Sequence, residues 1–106
     1  MIRPISQYLL TTRYEFLHNN ISVGSFEVIF RNDGEKEIWC FGIQGTYRNQ
    51  GLGQQMLKEC LNMLSGSTVE LGCLKNNHLA LHIYQKFGFK IVSDRGDHYW
   101  MRKEVE

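Results

Sequence analysis

The sequence predicts a single α/β domain over residues 1–106, built on a mixed, mostly antiparallel sheet with one central parallel βαβ crossover. Three observations carry this. Up to Ile43, runs rich in Tyr, Phe, Val and Ile are separated by short polar turns, as in consecutive antiparallel strands. From Leu52 the apolar spacing becomes helical. The next run, Thr68–Cys73, is short and apolar, as a parallel strand buried by a crossover helix should be.

Taken in order, Gln7–His18 and Ile21–Phe30 read as two strands joined at Asn19-Asn20, where asparagine tolerates a positive φ. Arg31-Asn-Asp-Gly34 is a turn signal, and a third strand follows from Glu35 or Lys36 to Ile43. A helix from Leu52 to about Leu64 places Leu52, Met56, Leu57, Cys60, Leu61 and Leu64 on one face and stops at Ser65-Gly66. After the Thr68–Cys73 strand, a second helix runs from about Asn77 to Phe87 and ends at Gly88, a C′ glycine. Phe89–Val92 and His98–Arg102 then form a hairpin. The expected order is β-β-β-α-β-α-β-β.

Composition narrows the function. Twelve basic against eleven acidic residues leave a net charge of +1, without the basic excess of a dedicated nucleic-acid surface. No apolar run reaches the length of a membrane span, and Met1-Ile-Arg-Pro4 does not read as a secretory leader, so a cytoplasmic location is expected. Cys40, Cys60 and Cys73 are odd in number and lie in apolar patterns, which predicts buried free thiols in a reducing compartment. His18, His78, His82 and His98 form no ligand cluster, and no metal is expected.

The segment Arg48-Asn49-Gln50-Gly51-Leu52-Gly53 joins the third strand to the first helix. A turn of this kind aims several backbone N–H groups at one point, the positive end of a helix dipole, and can cradle a pyrophosphate without a metal. Gly51 and Gly53 let backbone approach closely, and Arg48 adds a fixed cation. The same pattern also serves as a plain strand-to-helix turn. Neither standard phosphate loop fits, since no Gly-Lys-Ser/Thr follows and the third glycine of a dinucleotide fingerprint is absent.

A second constellation lies 24 residues after Gly53, in Asn77-His-Leu-Ala80-Leu-His-Ile83-Tyr84-Gln-Lys86-Phe-Gly88-Phe89. With both motifs in place, the chain from about Ile21 to Met101 resembles the GNAT superfamily of acetyl-CoA-dependent N-acetyltransferases. The family's Arg/Gln-x-x-Gly-x-Gly/Ala turn is matched by Arg48, Gly51 and Gly53. Its strand is matched by Val69, Leu71 and Cys73, and its Asn-x-x-Ala-x-x-apolar-Tyr-x-Lys-x-Gly-Phe helix by Asn77, Ala80, Ile83, Tyr84, Lys86, Gly88 and Phe89.

The resemblance implies acetyl-CoA as cofactor. It implies that backbone groups of Phe41, Gly42, Ile43 and Gln44 pair with the pantetheine amides as an added strand would. The turn residues Arg48, Asn49, Gln50, Gly51, Leu52 and Gly53 take the pyrophosphate. Asn77 would bond the pantetheine arm, although it is also a good N-cap. Tyr84 would give a proton or a hydrogen bond to the departing thiolate; alternatively it packs as an amphipathic helix residue. Glu37 would be the base, as in histone-acetylating members whose Glu-apolar-x-Phe-Cys-x-Ile run is close to Glu37-Ile-Trp-Cys-Phe-Gly-Ile43. A solvated strand-start glutamate is the plainer reading, and Glu70 or bulk water could replace it.

A usual member carries two helices between its first and second strands, which wall the acceptor cleft. Here only about Met1–Thr12 precedes the matched hairpin, so the expectation is a short member that keeps the cofactor half. An open site suits an amine presented by a protein, a lysine or a chain terminus, better than a small molecule. A symmetric homodimer could supply the missing wall. The competing reading is a non-catalytic acyl-CoA-binding or protein-interaction module on a truncated fold.

Overall fold

The computed structural model describes residues 1–8 and 10–106. In chain order these form strands β1 (Ile2–Tyr8), β2 (Thr11–His18), β3 (Ile21–Phe30) and β4 (Lys36–Ile43), and helix α1 (Leu52–Met63). Strand β5 (Thr68–Leu74), helix α2 (His78–Lys86), and strands β6 (Lys90–Asp94) and β7 (His98–Glu104) follow. Among the described residues, seven strands make one sheet in the order β1-β2-β3-β4-β5-β7-β6.

The mixed α/β sheet is the expected one, with a strand more. Gln7 and Tyr8 belong to a separate strand, β1, which folds back on β2 through pairs such as Ile2–Phe16 and Tyr8–Thr11. The expected strand Gln7–His18 is therefore two elements, and its Leu9 lies outside the described residues. Elsewhere the turn chemistry works as read. Asn19 and Asn20 take φ of 53° and 65°, giving a two-residue hairpin between His18 and Ile21.

Strand β4 pairs in parallel with β5, and α1 makes the crossover. Both β5 and β6 run antiparallel to β7, so β6 is parallel to β5 with β7 between them. The two crossovers, β4-α1-β5 and β5-α2-β6, advance the same way across the sheet. With the usual right-handed connection, both helices then pack on one face. A single core cluster accordingly takes Met56 and Leu57 of α1 together with Ala80 and Tyr84 of α2. From the sheet it takes Phe26, Val28, Ile38, Leu71 and Met101.

Alternation turns the neighbours of those core residues to the other face, where Glu37, Trp39, Glu70, Trp100 and Arg102 lie. No helix covers that face among the described residues. Trp39 is 44% exposed and Leu74 52%. No helix among the described residues is long and apolar enough to cross a membrane.

Candidate active site

Strands β4 and β5 stay together only briefly. Their register covers Lys36–Val69, Glu37–Glu70 and Ile38–Leu71, and beyond these pairs the ladder stops although both strands continue. A bulge explains the parting. On the other side of β4, Ser25 pairs with Gly42 and Glu27 with Trp39, so Cys40 and Phe41 together oppose Phe26. Cys40 takes φ of 53°, which turns it outward; it is exposed, contrary to the buried thiol expected, whereas Cys60 and Cys73 are buried. The bulge also returns Phe41 to the helical face, where its ring lies 6.0 Å from Phe26 and 6.4 Å from Tyr84. Between the parted strands opens a cleft of about 260 Å³, lined by Trp39, Cys40 and Phe41 on β4, Gly72 and Cys73 on β5, and Asn77 and Tyr84.

Where β4 ends, a second cavity of about 290 Å³ begins, lined by Ile43, Arg48, Asn49, Gly51, Gly53 and Gln54 and walled by Leu79 and Ile83 of α2. This is the glycine turn. Gly51 is the N-cap of α1 with φ of 75°, a left-handed conformation that suits glycine. No side chain caps the helix and its first turn holds no acidic residue, so the positive helix end is left open. A Cβ on Gly53 would lie 3.7 Å from Ile43, an ordinary contact. Arg48 folds back and its Nε donates to the Ile43 carbonyl at 3.0 Å. Lys86 Nζ donates to Gln54 Oε1 at 3.2 Å, tying α2 to α1 beside the cavity.

Tyr84 is positioned by the end of its own helix. Phe89 N–H donates to the Tyr84 carbonyl and Gly88 N–H to the Gln85 carbonyl, both at 3.0 Å, with Gly88 at φ of 97°. This is a Schellman cap, and its apolar partner contact is the Tyr84–Phe89 ring pair at 5.8 Å. The Tyr-x-Lys-x-Gly-Phe pattern is thus a helix stop that also fixes a phenol in the cleft wall. Burial is the main cause that pushes the Tyr84 pKa up to about 12, so the phenol stays protonated and acts as a donor. At the other helix end, Asn77 Oδ1 caps α2 by accepting from Ala80 N–H at 3.2 Å. Its amide NH₂ is not used in that cap, and Asn77 is one of the residues lining the cleft.

On the uncovered face Glu37 and Glu70 form one network. Trp39 Nε1 donates to Glu37 at 2.7 Å and Arg31 Nη1 donates to its other oxygen at 3.3 Å. Glu70 accepts from Trp100 Nε1, from Arg31 at 3.0 Å and from Arg102 at 3.2 Å. Burial would raise the Glu70 pKa, but its hydrogen bonds, from Trp100 first, outweigh that and hold it below the usual value. Glu35, bonded to Arg102, is raised by the neighbouring Glu70 carboxylate and by desolvation.

The candidate residues read from the sequence therefore fall in two adjoining places. Arg48, Asn49, Gly51, Leu52 and Gly53 line the turn cavity, and Ile43 joins them. Phe41, Asn77 and Tyr84 line the cleft. Gly42, between Phe41 and Ile43, is exposed with open space at its Cβ position. Gln50 is exposed in the turn without lining the cavity. Glu37 stands on the open face, on the strand that borders the cleft. Sequence reasoning passed over Tyr47, Gln54 and Leu79 in the turn cavity and Trp39, Gly72 and Leu74 in the cleft. Leu79 alone carried a signal, an apolar residue on the polar side of its helix that is 68% exposed. Among the described residues, no group of three His, Cys, Asp or Glu is arranged to hold a metal.

Two parallel strands parted over a cleft, with an open glycine-rich helix start beside it, define the class of domain: a mixed α/β sheet with a cleft at the end of its β4–β5 parallel pair. The family follows from the sequence: residues 13–91 match the model of the acetyltransferase (GNAT) domain, and the chain belongs to that family. It is 32% identical over 65 residues to N-alpha-acetyltransferase RimI of Mycobacterium tuberculosis, covering 61% of this chain and 41% of that protein. It is 31% identical over 90 residues to N-alpha-acetyltransferase 50 of Danio rerio, covering 76% of this chain and 52% of that one. The chain thus spans about half the length of these relatives, or less.

Among solved structures, the Escherichia coli ribosomal-protein-S18-alanine N-acetyltransferase superposes with a TM-score of 0.80 at 20% identity, over 91% of this chain and 70% of that one. A GNAT acetyltransferase of Elizabethkingia anophelis with acetyl-CoA bound gives a TM-score of 0.79 at 18% identity. That match takes in 99% of this chain and 97% of the other. At these identities the likeness is one of fold.

Proposed function

We propose that this domain transfers an acetyl group from acetyl-CoA to an amine presented by a protein. The observation that carries the reading is the parting of β4 from β5 after Ile38 and Leu71, which opens a cleft on the strand that leads to the uncapped start of α1. Family membership supports the activity. The likeness to a compact acetyl-CoA-bound GNAT structure of nearly the same extent supports the cofactor.

In this reading, acetyl-CoA supplies a thioester carbonyl for the amine to attack. The free edge of β4 from Phe41 to Ile43 aligns the pantetheine arm, with the Asn77 amide as a further donor. The open N–H groups of α1 and the Gly51–Gly53 backbone bind the pyrophosphate. Tyr84 Oη donates to the sulfur as the C–S bond breaks. With its pKa at about 12, well above an ordinary thiol at about 8.5, it steadies the thiolate through a hydrogen bond rather than by complete proton transfer. An alkyl amine is less than about one part in a thousand neutral at pH 7. Glu37, through a bridging water, takes the proton that the amine must lose; both of its oxygens keep a lone pair beyond those used by Trp39 and Arg31.

The uncovered face favours a second reading, a non-catalytic acyl-CoA-binding module. One experiment separates them: thiol release from acetyl-CoA over a panel of peptides and amines, beside thermal shift with coenzyme A. Turnover supports the transferase. Stabilisation by coenzyme A without turnover on any acceptor would support the module, and neither effect would remove both.

A further inference from the structure

A third hollow, of about 270 Å³, lies on the uncovered face and is lined by Trp39, Gly72, Leu74, His98 and Trp100. Its form follows from register. Gly72 pairs with Trp100 and Leu74 with His98 across β5 and β7, while Trp39 stands on the neighbouring β4. Gly72 therefore makes the floor between two indoles whose centroids are 6.0 Å apart and whose planes are tilted by 50°. A Cβ there would come within 3.4 Å of both His98 and Trp100, so any side chain would fill the slot.

The two rings are held from below. Each indole N–H is spent on a carboxylate, Trp39 on Glu37 and Trp100 on Glu70, which leaves carbon surface to wall the slot. Arg95 lies over the Trp100 ring at 4.3 Å. Glu37 and Glu70 are turned to Arg31, and Glu70 also to Arg102, and no carboxylate lines the slot itself. His98 Nδ1 is held by Asp97 at 2.7 Å. Three lining residues, Trp39, Gly72 and Leu74, also line the cleft between β4 and β5, so the slot opens beside the place where the thioester would lie.

We infer that this slot is the acceptor subsite and takes an apolar side chain carried next to the reacting amine. The inference rests on the transferase reading above. A hollow at the small end of ligand pockets, which run from about 300 Å³ upward, suits one side chain rather than a whole metabolite. Its lining of two indoles, a leucine, a histidine and a glycine holds no carboxylate to pair with a cation, and Arg95 already lies over the Trp100 ring, so an apolar group fits it better than a second cation.

The chain has two tryptophans, and both line the slot, so occupancy reads out directly in intrinsic fluorescence. The test compares phenylalaninamide, leucinamide, glycinamide and spermidine as probes. The first two are expected to shift the emission saturably, and to be acetylated with at least about tenfold higher kcat/KM than glycinamide, the scale of a filled apolar pocket. In Trp39→Ala that ratio of apolar amide to glycinamide should fall about tenfold through KM of the apolar amide. Glycinamide serves as the reference within each variant, and the unfolding midpoint checks that the variant folds.

A ratio unchanged in Trp39→Ala, together with no fluorescence response to either apolar amide, would overturn the subsite and leave the transferase standing. A preference for spermidine would overturn it equally. Saturable fluorescence shifts with no acetylation of any probe would instead support the slot as a ligand site while counting against the transferase reading.

Discussion

Glu37 and Glu70 stand directly opposite each other across the parallel pairing of β4 and β5, and a single guanidinium nitrogen, Arg31 Nη1, reaches both, at 3.3 and 3.0 Å. Two carboxylates side by side on a sheet would repel. Arg31, Arg102 and the two indole N–H groups make the pairing tolerable. The cluster sits where the two strands are still joined, just before they part.

Removal of Glu70 should therefore damage the fold. Its side chain is 8% exposed and accepts from three residues. Glu70→Ala should lower stability by about 2–3 kcal/mol in urea unfolding, the range for stranding buried charged partners. The pH sign follows from the lowered pKa. Such a group stabilises above its unfolded value, about 4.3, and that contribution is lost as pH falls through the lower folded value. Glu35, raised by Glu70, acts in the opposite sense because its protonation relieves repulsion. Stability should decline below about pH 4, and Glu70→Gln should flatten that decline.

Gly53→Val should weaken coenzyme A by more than about tenfold while keeping the unfolding midpoint, since even a Cβ at 3.7 Å from Ile43 meets no clash. Gly51→Ala should show both effects, because φ of 75° costs a side chain about 1–2 kcal/mol. Calorimetry beside thermal unfolding distinguishes the two. Undiminished affinity in Gly53→Val would remove the pyrophosphate assignment.

Tyr84→Phe should lower kcat by about 10²-fold with coenzyme A affinity retained, because the hydroxyl matters as the thiolate departs. With the phenol protonated until about pH 12, the wild-type rate should show no alkaline fall from Tyr84 ionisation up to pH values near 10. Full activity in the variant would reduce Tyr84 to its role in the helix stop.

Glu37→Gln keeps an oxygen for the Trp39 N–H and removes the base. Activity should fall most at low pH and recover partly as pH rises and the amine deprotonates unaided. A pH–rate profile with unaltered shape would pass the role to Glu70 or solvent.

Much of this site could be read from the sequence because its parts are local. The glycine turn, the Asn77 cap and the Tyr84–Phe89 helix stop each lie within a few consecutive residues, where turn chemistry and period decide the outcome. Three features were not legible. Gln7 and Tyr8 run into the Thr11–His18 pattern without an evident break, so one strand over Gln7–His18 was expected where β1 and β2 pair antiparallel. The bulge puts a positive φ on Cys40, a residue type that does not announce one. The slot depends on Gly72 coming into line with Trp39 and Trp100, from strands that meet only through long-range pairing.

Because α1 and α2 occupy one face and the slot opens on the other, the cleft has two doors. A ligand entering along the helix ends does not obstruct one arriving over the tryptophans, and neither product must wait for the other to leave. If both proposed sites hold, that arrangement predicts random-order kinetics through a ternary complex. Initial-rate lines should intersect, and a dead-end analogue of either substrate should compete only with its own counterpart.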